Sequence, residues 1–375
     1  MIKYAVIIIG GGPAGAMCGI GLQRAGISTC IFDKAAFPRD KLCGGLLTKK
    51  TVDMIQHHCP EIKPEEYVVE ETNSVAFYYQ NEPIIHFSTR IPLYLTERTL
   101  LDDSLIKLYR NLGGTVFENE TIRAHQIDPG SRTIHLDTGT YHYEVLIGAY
   151  GCRSLLARLH SIDPDHSFCV EGTADKVSAE KTVTIYFGHV RSGYGWDFPK
   201  KDHSTVGTLE ETKGDRISGS FFRDIIKKDM HSIRGALIPS GRKVALKKLR
   251  QNVLLVGDAA GFTDPVTGEG IYYALLSGKI AAESVQEAIR NGNEKYLDDY
   301  LQKVRTIRKN IRDANFLKKI LYHPLVLKHF MHFIRRHRSF ALFYVEEMVS
   351  QYKYGYKDFL FRYLRRRFIK GERWG

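Results

Sequence analysis

The stretch that most constrains what this chain can fold into is its first 33 residues. Residues 4–9 are a short apolar, β-branched run of the kind that forms a fully buried strand. The run leads directly into Gly10-Gly11-Gly12-Pro13-Ala14-Gly15. Gly10 allows a tight turn, Gly12 lets the backbone approach a diphosphate, and Gly15 lets the next helix pack close to the strand. A helix over residues 13–25 would present free N–H groups and its positive dipole end to that anion. Gly26 ends the helix, residues 27–32 form a second strand, and Asp33 sits at its tip, where a carboxylate accepts hydrogen bonds from ribose hydroxyls. The glycine spacing alone is a weak signal. Strand, glycines, helix, strand and acid in this order specify a Rossmann-like unit that binds an ADP moiety.

The chain beyond it alternates between two kinds of structure. Residues 37–47, with Phe37, Pro38, Arg39, Lys41, Cys43, Gly44 and Gly45, form an irregular loop whose glycines admit close backbone approach. A helix follows from residue 48. Residues 75–94 alternate around Asn81-Glu82-Pro83 as an antiparallel hairpin. Residues 96–112 form a helix carrying Arg98 and Asp102. Residues 115–118, 134–136 and 145–148 read as strands, and residues 154–159 as helix. Residues 168–240 are strand-rich, with a helix at 221–230 and the aromatic, glycine-flexed segment Tyr194-Gly195-Trp196-Asp197-Phe198-Pro199-Lys200, which either fills a core or lines an apolar pocket. A buried strand then ends in Gly257-Asp258-Ala259-Ala260-Gly261. A loop through Pro265, Gly268 and Gly270 opens a long helix over residues 271–291, and residues 295–319 read as helical and solvent-facing.

Charge is unevenly spread. Residues 301–375 hold 19 Lys and Arg against 5 Asp and Glu, whereas the first 300 hold 35 against 37. In residues 324–350 and 358–369, aromatic and aliphatic side chains at helical spacing alternate with arginines, which describes cationic amphipathic helices. They suit either an anionic membrane surface or a cap over a pocket. No nucleic-acid motif accompanies them, and no nucleic-acid partner is expected. Six cysteines without metal-ligand spacing read as reduced thiols, and no metal site is expected. No apolar run approaches the 18 residues of a membrane span, and the N-terminal run is a fold strand rather than a signal peptide. The expected location is cytoplasmic, extending to peripheral association with the inner membrane face.

Four marks together resemble the two-domain flavoproteins of the para-hydroxybenzoate hydroxylase type: Gly10 to Gly15 with Asp33, Arg98 with Asp102, residues 148–154, and residues 257–270. Within that group three segments are similar to the geranylgeranyl reductase family. They are Phe37-Pro38-Arg39-x-Lys41-x-Cys43-Gly44-Gly45, Tyr194-x-Trp196-x-Phe198-Pro199-Lys200, and Gly257-Asp258-Ala259-Ala260-Gly261-x-x-x-Pro265-x-x-Gly268-Glu269-Gly270-Ile271. The resemblance implies an α/β fold: a discontinuous Rossmann-like FAD-binding domain (residues 1–72, 91–160 and 241–295), an antiparallel-sheet substrate domain (73–90 and 161–240) and a basic amphipathic helical C-terminal region (296–375). It implies non-covalent FAD held by Gly10, Gly12, Pro13, Ala14, Gly15, Asp33, Lys34, Cys43, Gly44, Arg98, Gly257, Asp258, Pro265, Gly268, Gly270 and Ile271. Cys43, Gly44, Gly45, Tyr194 and Trp196 would stand at the chemistry. The family's Gly-Ala-Asp-Gly turn is here Gly148-Ala149-Tyr150-Gly151, and tyrosine supplies no carboxylate. The electron donor, external and of the NAD(P)H, ferredoxin or quinol kind, is therefore left open.

The activity implied is reduction of isolated C=C bonds in the prenyl chain of a lipid. Such bonds are poorly polarised, so they need a chain held flat in an apolar tunnel without water. The alternative on the same scaffold is an oxygen-using hydroxylase or halogenase of aromatic small molecules. Against it stand Tyr150 and a lone Trp196 where flavin halogenases carry a Trp pair. A non-catalytic peripheral membrane protein is the third reading.

Overall fold

The computed structural model describes residues 1–152, 167–175, 180–211, 230–239, 244–351 and 355–356. The helices expected at 154–159 and 358–369 lie outside these residues, as does the one expected at 221–230 except for Met230, which begins a strand instead. The described strands are β1 (Ile2–Ile9), β2 (Thr29–Phe32), β3 (Leu46–Leu47), β4 (Val68–Tyr79), β5 (Glu82–Thr96), β6 (Thr115–Phe117), β7 (Ile127–Asp128), β8 (Thr133–Leu136), β9 (Gly139–Gly148), β10 (Ser167–Ala174), β11 (Val183–Phe187), β12 (Tyr194–Pro199), β13 (Ser204–Glu211), β14 (Met230–Ile238) and β15 (Val253–Leu255). The α-helices are α1 (Pro13–Arg24), α2 (Lys49–His58), α3 (Arg98–Asn111), α4 (Ile271–Arg290), α5 (Tyr296–Lys303), α6 (Arg305–Leu321), α7 (Pro324–Arg336) and α8 (Arg338–Phe343).

The apolar run at the N-terminus becomes the centre of the first sheet. β1 pairs in parallel with β2 on one side and β9 on the other, and β6 extends the sheet beyond β2. The far edge of β9 is shared: β8 takes its first half antiparallel and β15 its last half parallel. Ile9 stands level with both Phe32 and Gly148, so Gly10, Asp33 and Ala149 all leave the sheet at the same edge. That edge is where strand order reverses around β1, the place where open α/β sheets bind ligands.

Small residues set how closely α1 lies on its neighbours. A Cβ on Gly15 would sit 1.9 Å from the Gly10 carbonyl oxygen, and one on Gly278 would sit 2.2 Å from that of Ala14. α1 is therefore clamped between the sheet and α4, with most of its residues buried.

The second sheet has the order β14-β10-β13-β12-β11-β4-β5-β3, antiparallel except for β11 on β4. The β4–β5 hairpin is longer than the 75–94 alternation suggests. Its two-residue turn at Gln80 and Asn81 has positive φ at both positions (47° and 73°), matching the strand twist.

The 295–319 segment is helical as expected, but it is not simply solvent-facing. The segment breaks at Val304 into α5 and α6, and each buries a face. Tyr300 is fully buried and donates its hydroxyl to the Leu255 carbonyl at 2.7 Å. Ile307 and Ile311 complete the core of the first sheet, whereas Tyr322, just past α6, joins that of the second. α7 and α8 lay Leu327, Met331, Ile334, Phe340 and Phe343 over the second sheet, and a π-helical turn (Tyr344–Ser350) continues them. The C-terminal helices thus cap the sheet with their apolar faces.

Candidate functional site

A continuous cavity of about 2300 Å³ runs from the C-terminal edge of β1 to the inner face of the second sheet and the capping helices. Small-molecule pockets are usually roughly 300–1,000 Å³. This space is large enough for a dinucleotide-sized group and a second long ligand together.

At the β1 end the cavity is polar. Gly10 has φ +107° and its Cβ would meet the Ala149 carbonyl oxygen at 2.3 Å, so only glycine makes this turn. The Gly11 amide donates to Asp33 Oδ2 at 2.7 Å, which fixes that carboxylate at the strand tip. Gly12 opens α1. No side chain caps this helix and its first turn holds no acid, so its N–H end is left to the cavity lined by Gly12, Pro13 and Ala14. A Cβ on Gly12 would come within 3.4 Å of Arg39 and 3.9 Å of Arg98, so bare backbone faces two guanidiniums across the opening.

Arg98 is bidentate to Asp102 (2.7 and 2.6 Å), and Arg39 reaches the same carboxylate at 3.0 Å. Burial works against the Arg98 charge, but Asp102 outweighs it and holds the guanidinium above its ordinary range. Lys41 stands 3.8 Å from Asp258. Desolvation first, then the Arg98 charge, push its pKa down. An arriving dianion would relieve that stress.

The middle of the cavity is framed by two loops. Asp258 follows β15 and accepts from the Thr263 hydroxyl at 2.9 Å. The loop over residues 264–270 leads into α4, which again begins without a side-chain cap and without acid in its first turn. Asp264 organises the loop by accepting from the amides of Val266 (2.8 Å) and Thr267 (3.0 Å). Three tyrosines from outside pin it: Tyr194 donates to the Thr267 carbonyl, Tyr322 to the Val266 carbonyl at 3.0 Å, and Tyr356 to Asp264 Oδ2 at 2.8 Å. Glu269 is held by Lys50 at 2.6 Å and by the Thr48 hydroxyl at 3.0 Å.

Opposite lies the loop carrying Cys43. The Cys43 amide donates to Glu171 Oε1 of β10 at 3.2 Å. Glu171 is buried, and desolvation pushes its carboxyl up to about 7 against the pull of that amide and of Lys200. Gly44 is pressed against the aromatic wall: a Cβ there would lie 2.9 Å from the Phe198 ring and 3.0 Å from Trp196 Nε1. Gly45 has φ +79° and its Cβ would meet the Thr96 carbonyl oxygen at 2.2 Å, so this glycine is demanded by β5.

The far end is apolar. Tyr194, Trp196 and Phe198 of β12 point to one wall, and Trp196 stacks on Phe198 with centroids 6.0 Å apart. Gly207 of β13 leaves room for the indole, since a Cβ there would sit 2.2 Å from it. Val75 and Phe77 of β4, with Phe330 and Ile334 of α7, extend the same lining.

The structure gathers most of the residues singled out from the sequence around this cavity. Gly10, Gly12, Pro13, Ala14, Asp33, Lys34, Cys43, Gly44, Gly45, Arg98, Tyr194, Trp196, Asp258, Gly268, Gly270 and Ile271 all line it. Gly15, Gly257 and Pro265 do not. Gly15 and Gly257 act behind the wall, where they let α1 pack on Gly10 and the β15 turn pack on Ala14; Pro265 is buried in the loop over residues 264–270. Sequence reasoning missed Glu171, the Lys50–Glu269 pair, Tyr322 and Tyr356. Each acts across a long sequence separation, and only Glu269 lies in a local motif, Gly268-Glu269-Gly270, which does not reveal its partner Lys50.

Comparison with known proteins agrees with this geometry. A family model described as an FAD binding domain matches residues 3–315. An uncharacterised protein of Methanosarcina barkeri is 32% identical over 341 residues, spanning 87% of this chain and 86% of its own length. The chloroplastic geranylgeranyl diphosphate reductase of Arabidopsis thaliana is 28% identical over 362 residues, spanning 85% of this chain and 74% of its own. The crystal structure of a geranylgeranyl bacteriochlorophyll reductase-like protein of Thermoplasma acidophilum superposes with a TM-score of 0.79 at 19% identity, covering 99% of this chain and 98% of that one, which shows the shared fold.

Fold and site together define an FAD-dependent oxidoreductase. The chain belongs to the family described as FAD binding domain, and a geranylgeranyl diphosphate reductase is among the proteins it is similar to. Its cofactor is FAD, and the residues fit that group. The bare Gly12 backbone faces Arg39 and Arg98, the uncapped end of α1 would suit a diphosphate, Asp33 at the strand tip would accept from a ribose hydroxyl, and the uncapped end of α4 would suit a ring that gains negative charge on reduction.

Proposed function

We propose that this protein saturates isolated C=C bonds in a geranylgeranyl-type prenyl chain carried on a lipid, with electrons from an external donor of the NAD(P)H, ferredoxin or quinol kind. FAD, when bound, supplies hydride-level reducing power to the substrate. The observation that carries the reading is the continuity of one cavity of about 2300 Å³ from the polar Gly12 end to an apolar end lined by β4, β12 and α7.

The chain's own residues supply position and dryness. Trp196 and Phe198 form a flat wall beside Gly44, against which an extended alkene chain can lie. The apolar side chains of α7 close that space, and excluding water matters most for a bond with so little polarity. Saturation also needs a proton on the second carbon. Cys43 lines the cavity, and its backbone is held in place by Glu171. We assign Cys43 to positioning or protonating the chain at this point.

The test is a single-turnover reaction. FAD-loaded protein is reduced without oxygen and given a geranylgeranyl-bearing lipid, and products are weighed by mass spectrometry. A gain of two mass units per bond, with matching flavin reoxidation, is expected. Rapid reoxidation by air coupled to hydroxylation or halogenation of an aromatic compound, with the prenyl lipid untouched, would sink the reading.

A further inference from the structure

The cavity opens on an unusual piece of surface. Ile320 of α6 and Val326 of α7 line it, yet they are 45% and 40% exposed, so they mark its mouth. Around them Phe316, Leu325 and Phe333 are also exposed, Phe316 one helical turn before Ile320 and Phe333 two turns after Val326. Of the eleven exposed large apolar side chains among the described residues, these five fall within eighteen consecutive positions. Scattered singly they would need no explanation, but clustered at a cavity mouth they mark an interaction surface.

The charge around the patch is one-signed. Residues 314–345 contain no Asp or Glu, and Lys319, Lys328, Arg336 and Arg338 are exposed there. None of these four pairs with an acid among the described residues. The deeper faces of both helices are already committed: Ile307 and Ile311 to the first core, Leu327, Met331 and Ile334 to the second. The outer faces therefore combine apolar side chains with a basic rim, the pattern of helices that lie in a membrane interface. No helix among the described residues is long and apolar enough to cross a membrane.

We propose that the outer face of α6 and α7 docks on an anionic lipid bilayer, with Phe316, Leu325 and Phe333 inserted at the acyl boundary and the cavity mouth between Ile320 and Val326 facing the membrane. A long-chain lipid then passes from bilayer to cavity without its apolar tail crossing water. The inference rests on the prenyl-lipid reading for its purpose, but the docking itself needs no turnover.

The experiment is co-sedimentation of full-length FAD-loaded protein with vesicles of phosphatidylglycerol and phosphatidylcholine, against phosphatidylcholine alone, at low and high salt. Binding to the anionic vesicles is expected to be at least tenfold tighter and to weaken with salt. Lys319→Glu with Lys328→Glu should lose at least tenfold, and Phe316→Ser with Leu325→Ser should lose a comparable amount even at low salt. None of these four side chains lines the cavity, so retained flavin and turnover of a detergent-dispersed prenyl substrate certify folding. Equal binding to both vesicle types, or variants that sediment like the parent, overturns the proposal. So does a dimer in solution that the Phe316→Ser and Leu325→Ser pair dissociates, since the face is then a contact between two copies. If vesicles bind as expected but no prenyl substrate is reduced, the docking stands and the functional reading falls.

Discussion

The two ends of the cavity are built on opposite principles. The β1 end is made of backbone: glycines where a Cβ would lie about 2 Å from a neighbouring carbonyl oxygen, two uncapped helix starts, and ion pairs around Asp33 and Asp102. The β12 end is made of side chains, with aromatic and aliphatic groups gathered from β4, β12 and α7. Backbone against backbone leaves nothing that can move aside, whereas an apolar wall tolerates exchange if volume is kept. The first end should thus fail abruptly under substitution and the second should degrade by degrees.

The sharpest break in that contrast is at Gly15. In Gly15→Ala the new Cβ lies 1.9 Å from the Gly10 carbonyl oxygen, and only separation of α1 from β1 can relieve it. Loss of about 3 kcal/mol or more of stability is expected, together with loss of the visible absorbance of bound flavin. Gly12→Ala is the paired control, because its φ of −71° suits alanine. It should fold normally and bind FAD at least tenfold more weakly, read by titration. If Gly15→Ala retains both fold and flavin, the backbone account of this end is wrong.

Glu171 tests whether the packing behind the Cys43 loop, between the two ends, excludes water. Burial pushes its carboxyl up to about 7 from an ordinary value near 4.5. The folded form therefore holds a proton that the unfolded chain releases. The stability from this group is full below about pH 4.5 and is lost as pH rises through about 7, a difference of about 3 kcal/mol. Glu171→Gln keeps an acceptor for the Cys43 amide and removes the titration. Chemical denaturation should find the variant more stable than the parent at pH 8 and close to it at pH 5. An unchanged pH slope would mean the carboxyl is solvated.

Gly44 lies where the two ends meet. In Gly44→Ala the added methyl presses on Phe198 and Trp196, which are side chains and can shift. We expect FAD retained, stability lowered by about 1 kcal/mol, and prenyl reduction slowed about tenfold as the flat wall tilts. A fall in flavin content equal to the fall in rate would place Gly44 with the cofactor end instead.

Legibility from sequence follows the same divide. The β1–α1–β2 unit was readable because its parts are consecutive and each glycine answers a local backbone demand. The turn after β15 was readable for the same reason, although Gly257 and Pro265 turned out to lie behind the wall. Glu171 was not readable, because its partner Cys43 is 128 residues away. The buried faces of α5 and α6 were obscured because Lys and Arg surround the stripe of Ile307, Ile311 and Ala314. A stripe that narrow among charges resembles a solvated helix until the surface it covers is known.

The loop over residues 264–270 complicates the division, because it serves the cofactor end and is held from the other. Its three tyrosines come from β12, the end of α6 and the C-terminal segment, and Tyr356 is 92 residues from its acceptor Asp264. Desolvation raises the pKa of the Asp264 carboxyl, and the amides of Thr267 and Val266 and the Tyr356 hydroxyl hold it back. In Tyr356→Phe one of those donors is lost and that pKa rises further. The loss, about 1 kcal/mol, should appear at pH 8, where the carboxylate is charged, and shrink in acid, where the group is protonated in both states. Tyr322→Phe removes a donor to the neutral Val266 carbonyl, so its similar loss should not vary with pH. Both should speed FAD dissociation a few-fold. If only stability changes and the FAD off-rate does not, the tyrosines brace the capping helices rather than the loop, and the two ends of the cavity are more independent than their contacts imply.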